Sequence, residues 1–132
     1  EVHYLERLRT ADGEPLCIER VHIPVALAPD LAAHDLTDRS LYALLESVYG
    51  IVFDAGELTI DAGIADPGDA DLLRLPRGGA VLILQHRSFA GGVCAEIGVS
   101  TYRADRYQLR AAIVSPARHR SAQGRGVLQA AE

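Results

Sequence analysis

The chain has 132 residues, one domain's worth, and 48% of them are apolar, enough for a core and too many for a disordered segment. Eighteen acidic residues against thirteen basic ones give a net charge of −5 and a pI near 5.5, the wrong balance for a domain that holds nucleic acid by itself. No apolar run approaches the ~20 residues of a membrane helix, no signal peptide is visible, and the start at Glu1 without Met points to an internal position of a longer protein or an expression boundary.

His3 to Arg9 reads as a strand, Ala11-Asp12-Gly13-Glu14 as a hairpin turn, and Leu16 to Ile23 as the strand that pairs back before Pro24 stops it. Pro29-Asp30 opens a short helical turn through Ala33. After Thr37-Asp38, Leu41, Leu44, Leu45 and Val48 form one apolar stripe of a helix, and Gly50 stands at its C-terminal cap. Glu57 to Ala65 alternates as a strand, with Leu58, Ile60, Ala62 and Ile64 on one face. Asp66-Pro67 starts a second helix that ends near Leu75-Pro76. Ala80 to Ser88 and Val93 to Tyr102 are strands joined through Ala90-Gly91-Gly92, and Tyr107 to Val114 is a last strand. Residues 115–132 lack periodicity and read as a flexible tail. The order β-β-α-α-β-α-β-β-β predicts an α+β fold: an antiparallel sheet with helices covering one face.

Arg7 and Arg9, two apart on one strand, share a face. Such a pair suits a bidentate grip on a phosphate or carboxylate, although spacing alone favours a solvated face with surface ion pairs. Glu19 falls near these arginines across the hairpin. Glu96, inside the apolar run Cys94-Ala95-Glu96-Ile97, needs a partner, either an arginine or a ligand's hydroxyl or amino group. Ser40 and Tyr42 open the strong helix, where free amides favour anions and where Ser is also an ordinary cap. Tyr102 sits at a strand end, a pocket lining or an amphipathic plug. Cys17 and Cys94 lack any CxxC or Cys/His cluster and read as small buried hydrophobes in a reducing, cytoplasmic setting. No metal-ligand spacing, phosphate-cradling glycine loop or catalytic triad is present, so no metal, cofactor or catalytic set is expected.

Taken together, Arg7-Leu8-Arg9-x-x-Asp12-Gly13-Glu14-Pro15, Glu19-Arg20-x-x-Ile23-Pro24, Ser40-Leu41-Tyr42-x-Leu44-Leu45 with Tyr49-Gly50, and Glu96 followed by Tyr102-Arg103-x-Asp105-Arg106-Tyr107 resemble the UTRA domain. This is the effector-binding domain of the HutC branch of GntR-type bacterial transcription regulators, and the match runs over about residues 3 to 114. The resemblance implies a chorismate-lyase-like fold, an antiparallel sheet flanked by helices, with residues 1–114 as effector-binding and dimerisation domain. It implies a homodimer, a winged helix-turn-helix DNA reader N-terminal to Glu1, and contact with operator DNA only through that reader. By position, Arg7 and Arg9 match the arginines that hold an effector's phosphate or carboxylate. Ser40 and Tyr42 match helix-start residues closing over that group, and Glu19, Glu96 and Tyr102 match contacts to the rest of the ligand. Cys94 stands where relatives often carry Pro, the Phe89-to-Gly92 hairpin is short, and His22 replaces a common aromatic.

The leading expectation is therefore a non-enzymatic sensor of a small anionic metabolite. A chorismate-lyase-like enzyme using Arg7 and Glu96, and a dimerisation module with a vestigial pocket, are the alternatives.

Overall fold

Asp12 and Gly13 both have positive φ, 52° and 76°, so the first hairpin turns through the type I′ geometry that an Asp-Gly pair favours. The computed structural model describes residues 1–112 and the backbone of Ala130–Ala131. That turn joins β1 (Val2–Ala11) to β2 (Glu14–Pro24), and Gly91 and Gly92, with φ of 56° and 80°, join β4 (Ala80–Ala90) to β5 (Val93–Arg103) in the same manner. With β3 (Ala55–Ile64) these build one antiparallel five-stranded sheet in the order β1-β2-β5-β4-β3. This is the α+β, sheet-and-helix architecture expected. Each hairpin carries a one-residue register shift, between Arg9 and Thr10 in β1 and between Ser88 and Phe89 in β4.

The helices cover opposite faces of this sheet, a correction to the expectation that they share one. Helix α1 (Leu41–Tyr49) buries Leu41 and Leu45 against Val21 and Ile23 of β2, together with Leu31 from a single 3-10 turn (Leu31–Ala33). Helix α2 (Pro67–Leu72) and its C-cap residue bring Ala70 and Leu73 against Ile18 and Val81. Ile18 and Val21 are three residues apart on one strand and so point to opposite sides. The apolar stripe on each helix therefore has its own half of the core.

Both helix starts follow from local chemistry. Ser40 Oγ accepts from the Ala43 amide at 3.2 Å, and Asp66 Oδ1 accepts from the Asp69 amide at 2.9 Å with Pro67 next in line. Gly50 closes α1 in the left-handed region. Helix α2 stops earlier than Leu75 because Arg74 turns to positive φ and the buried Arg103 guanidinium takes the Leu73 carbonyl at 3.1 Å. The last strand is also shorter than expected. Only Gln108–Leu109 (β6) is extended, pairing with Ala130–Ala131 (β7), while Arg110–Ala112 carry no regular structure. Tyr107 stays out of the ladder, and its ring stacks on Tyr102, centroids 3.8 Å apart. The remainder of the expected strand, Ile113–Val114, and the tail apart from Ala130–Ala131 lie outside the described residues.

Candidate functional site

The face of the sheet that carries α1 is polar beyond the helix's reach. Strand register lays Arg7, Glu19, Ser100 and Leu84 in one row across four strands, with Arg9, Cys17, Tyr102 and Leu82 in the next. On the other side lies the row Leu5, Val21, Gly98, His86. Cross-strand partners point the same way, so these side chains share a floor. Above it the segment Leu36–Ser40 and the first turn of α1 form a wall, leaving a cleft of about 1090 Å³. That volume is just above the roughly 300–1,000 Å³ of most small-molecule sites.

Arg7, Arg9, Glu19, Ser40, Tyr42 and Tyr102 all line this cleft. Arg7 is engaged on both sides: Nε donates to Glu19 Oε2 at 2.9 Å, Nη2 donates to the same oxygen, and Nη1 donates to the Arg39 carbonyl at 3.2 Å. Ser40 Oγ accepts one bond at the helix cap, and its hydroxyl hydrogen remains available. Tyr42 packs on Phe53 and donates to Glu96 Oε1 at 3.3 Å. Desolvation, reinforced by the Glu96 carboxylate, pushes the Tyr42 phenol up to about 12. Tyr102 is likewise raised, chiefly by burial.

Glu96 is placed differently. It is 1% exposed and does not line the cleft, because His86 and Tyr42 cover it. His86 Nε2 lies 2.6 Å from Glu96 Oε1, while Glu96 Oε2 is buried without a hydrogen-bond partner. His86, Arg39, Ser88, Ser100 and Tyr107 are lining residues that sequence reasoning did not single out. The four arginines of the lining (Arg7, Arg9, Arg39, Arg87) outnumber its three carboxylates (Glu19, Asp38, Glu57). Among the described residues, no three His, Cys, Asp or Glu side chains converge on a metal position.

Residues 1–108 match the model of the UTRA domain. The chain belongs to the UTRA domain family. The UTRA chain is 29% identical over 107 residues to the HTH-type transcriptional repressor NagR of Bacillus subtilis, covering 80% of this chain and 44% of that protein. It is 32% identical over 80 residues to the histidine utilization repressor of Pseudomonas putida, 61% of this chain and 32% of the relative. It therefore spans less than half the length of these curated relatives. Among solved structures it resembles the effector domain of PhnF from Mycobacterium smegmatis, with a TM-score of 0.82 at 31% identity, covering 86% of this chain and 70% of that one. A regulator of the GntR family from Enterococcus faecalis gives a TM-score of 0.73 at 27% identity, with 85% and 81% covered. The UTRA domain described here is thus of the GntR type with HutC-like relatives, and those relatives are transcriptional repressors. Among the described residues no helix is long and apolar enough to cross a membrane.

Proposed function

We propose that this UTRA domain is the effector-sensing part of a cytoplasmic, non-enzymatic transcription regulator. The cleft takes a small metabolite whose phosphate or carboxylate lies between Arg7, Arg9 and the start of α1 at Ser40. Tyr42, Glu19 and Tyr102 touch the rest of the ligand, and Glu96 acts from behind Tyr42. The observation that carries this reading is the pair Arg7 and Arg9, in adjacent rows of the cleft floor, facing a capped helix start. Guanidinium donors and helix-start amides are both suited to an anion.

Operator contact belongs to a DNA-reading part in the portion of the longer relatives that this chain does not span. The domain pairs with a second copy. Exposed Ile60 and Ile64 on the outer strand β3 support pairing, since unpaired edges with apolar side chains are normally covered. Occupancy then regulates by favouring one arrangement of the paired domains over another, which requires a ligand with different affinity for the two.

A thermal-shift screen of sugar phosphates, aliphatic acids, amino-acid derivatives and phosphonates tests the reading. A true effector at 100 times its Kd adds ~2.7 kcal/mol of stability, and replacing Arg7 and Arg9 by Ala removes the response. A screen without any hit favours a pure dimerisation module, and turnover of a screened compound favours an enzyme.

A further inference from the structure

We propose that His86 is a specificity-determining residue of the cleft, contacting the uncharged body of the ligand, with Glu96 and Gly98 as its positioning residues. This rests on the reading of the cleft as a site for a small anionic metabolite.

The His86 side chain is 18% exposed, on the cleft floor, in the row next to that of Arg7. Glu96 is a hydrogen-bond acceptor here: Tyr42 donates to its Oε1, the same oxygen that lies 2.6 Å from His86 Nε2. The shared hydrogen therefore sits on Nε2. The other ring nitrogen, Nδ1, has no partner among the described residues. With hydrogen on Nε2, Nδ1 accepts in a neutral imidazole and donates in a protonated one. In both forms it is suited to a ligand's hydroxyl, which can donate or accept.

The ring holds its place because residue 98 has no side chain. A Cβ at Gly98 would stand 2.5 Å from His86 Cε1 and 2.6 Å from Nε2. Glycine in the middle of a central strand lowers strand stability and often marks a close approach. Here the approaching groups are the imidazole on one side and Val21 Cγ1, 2.8 Å from that Cβ, on the other. Glu96 completes the device. A fully buried carboxylate with one oxygen unpartnered is costly, and its visible return is the hold on His86 and Tyr42. Arg7 and His86 lie three strands apart, roughly 14 Å between backbones. Side chains shorten that span, and a six-carbon body beyond an anionic head fills it.

Two probes of that size separate charge from body: sorbitol 6-phosphate, and hexyl phosphate, which has the same chain without hydroxyls. Calorimetric titration of the 132-residue chain with both, and with inorganic phosphate, reads three affinities. Arg7→Ala should weaken all three. His86→Ala should weaken sorbitol 6-phosphate roughly tenfold and leave hexyl phosphate and inorganic phosphate within about twofold. Gly98→Ala, checked for folding by circular dichroism, should behave as His86→Ala does, because its Cβ displaces the ring. The ¹⁵N spectrum of the imidazole provides a readout that a packing role would not move: Nδ1 shifts with sorbitol 6-phosphate and not with inorganic phosphate. If phosphate binds but His86→Ala leaves the preference for sorbitol 6-phosphate intact, or wild type shows none, the anion reading stands and the His86 proposal falls. If none of the three binds, both fall.

Discussion

Arg7 and Glu19 are cross-strand neighbours, and two nitrogens of Arg7 converge on the single oxygen Glu19 Oε2. The residue best placed to hold an anion thus already holds one of the protein's own. An incoming phosphate must share or displace that contact, and Glu19 repels it meanwhile. Glu19→Gln should therefore tighten binding of inorganic phosphate by about fivefold, the ~1 kcal/mol scale of a partly solvated pair. Arg7→Ala should weaken it by about tenfold or more, since hydrogen bonds to charged groups are worth ~1.5–3 kcal/mol. Calorimetric titration checks both, and weaker phosphate binding in Glu19→Gln would show that Glu19 supports the anion instead of competing with it.

Arg7 also ties the wall of the cleft to its floor through the Arg39 carbonyl, just ahead of Ser40. Upstream, the His3 ring hydrogen-bonds the Ala28 carbonyl at 2.8 Å, so residues 28–40 hang between two fixings on β1. A ligand that draws Arg7 away from Arg39 O alters one of them. Hydrogen exchange should accordingly change between Ala28 and Tyr42 on effector binding, with little change in α2 on the far face. Unchanged protection over that segment would count against it as the moving part.

Ser40 has two roles that two substitutions separate. As the cap of α1 its loss to Ala should cost ~1 kcal/mol, whereas Gly at the same position costs only a few tenths. The melting temperature should fall by roughly 2–8 °C in Ser40→Ala and distinctly less in Ser40→Gly. Both variants lack the hydroxyl, so both should weaken anion binding by the same factor. If affinity instead follows stability across the pair, the hydroxyl serves the helix alone.

These tests centre on residues whose identity was legible in the sequence, while their arrangement was only partly so. Alternation and turn chemistry place the strands, and the Ser40 and Asp66 caps place the helix starts. The two register shifts are what the pattern does not announce. Carried regularly from Gly91-Gly92, the β4–β5 ladder would set Arg87 opposite Glu96. The extra residue sets Ser88 there and turns His86 onto the cleft floor. The shift in the first hairpin likewise brings Glu19, not Ile18, opposite Arg7. Glu96 stands out in the sequence as a carboxylate in an apolar run, and that run is why it lies behind the wall instead of in it. The halving of the core between two sheet faces is not legible in the pattern, because each helix stripe is apolar whichever side it covers.

Cys17, at 0% exposure, is the cross-strand neighbour of Tyr102 in the row of Arg9, and burial pushes its thiol up to about 12, with the nearby Glu19 charge adding to the effect. The Tyr42 and Tyr102 phenols are raised as well. In the unfolded chain a thiol ionises near pH ~8.5 and a phenol near ~10. Between those values and about 12 the folded state keeps protons that the unfolded state has shed. Unfolding free energy therefore falls as pH rises. Stability from these groups is complete below about pH 8.5 and is lost progressively as pH rises toward and through about 12. Urea midpoints at pH 7.5, 9.5 and 11 should decline in that order, and Cys17→Ala, though less stable throughout, should decline less between the first two. At pH 8.5 iodoacetamide should label the partly exposed Cys94 well before the buried Cys17. A flat midpoint, or equal labelling of the two thiols, would place Cys17 in a wetter site than the buried one beside Tyr102.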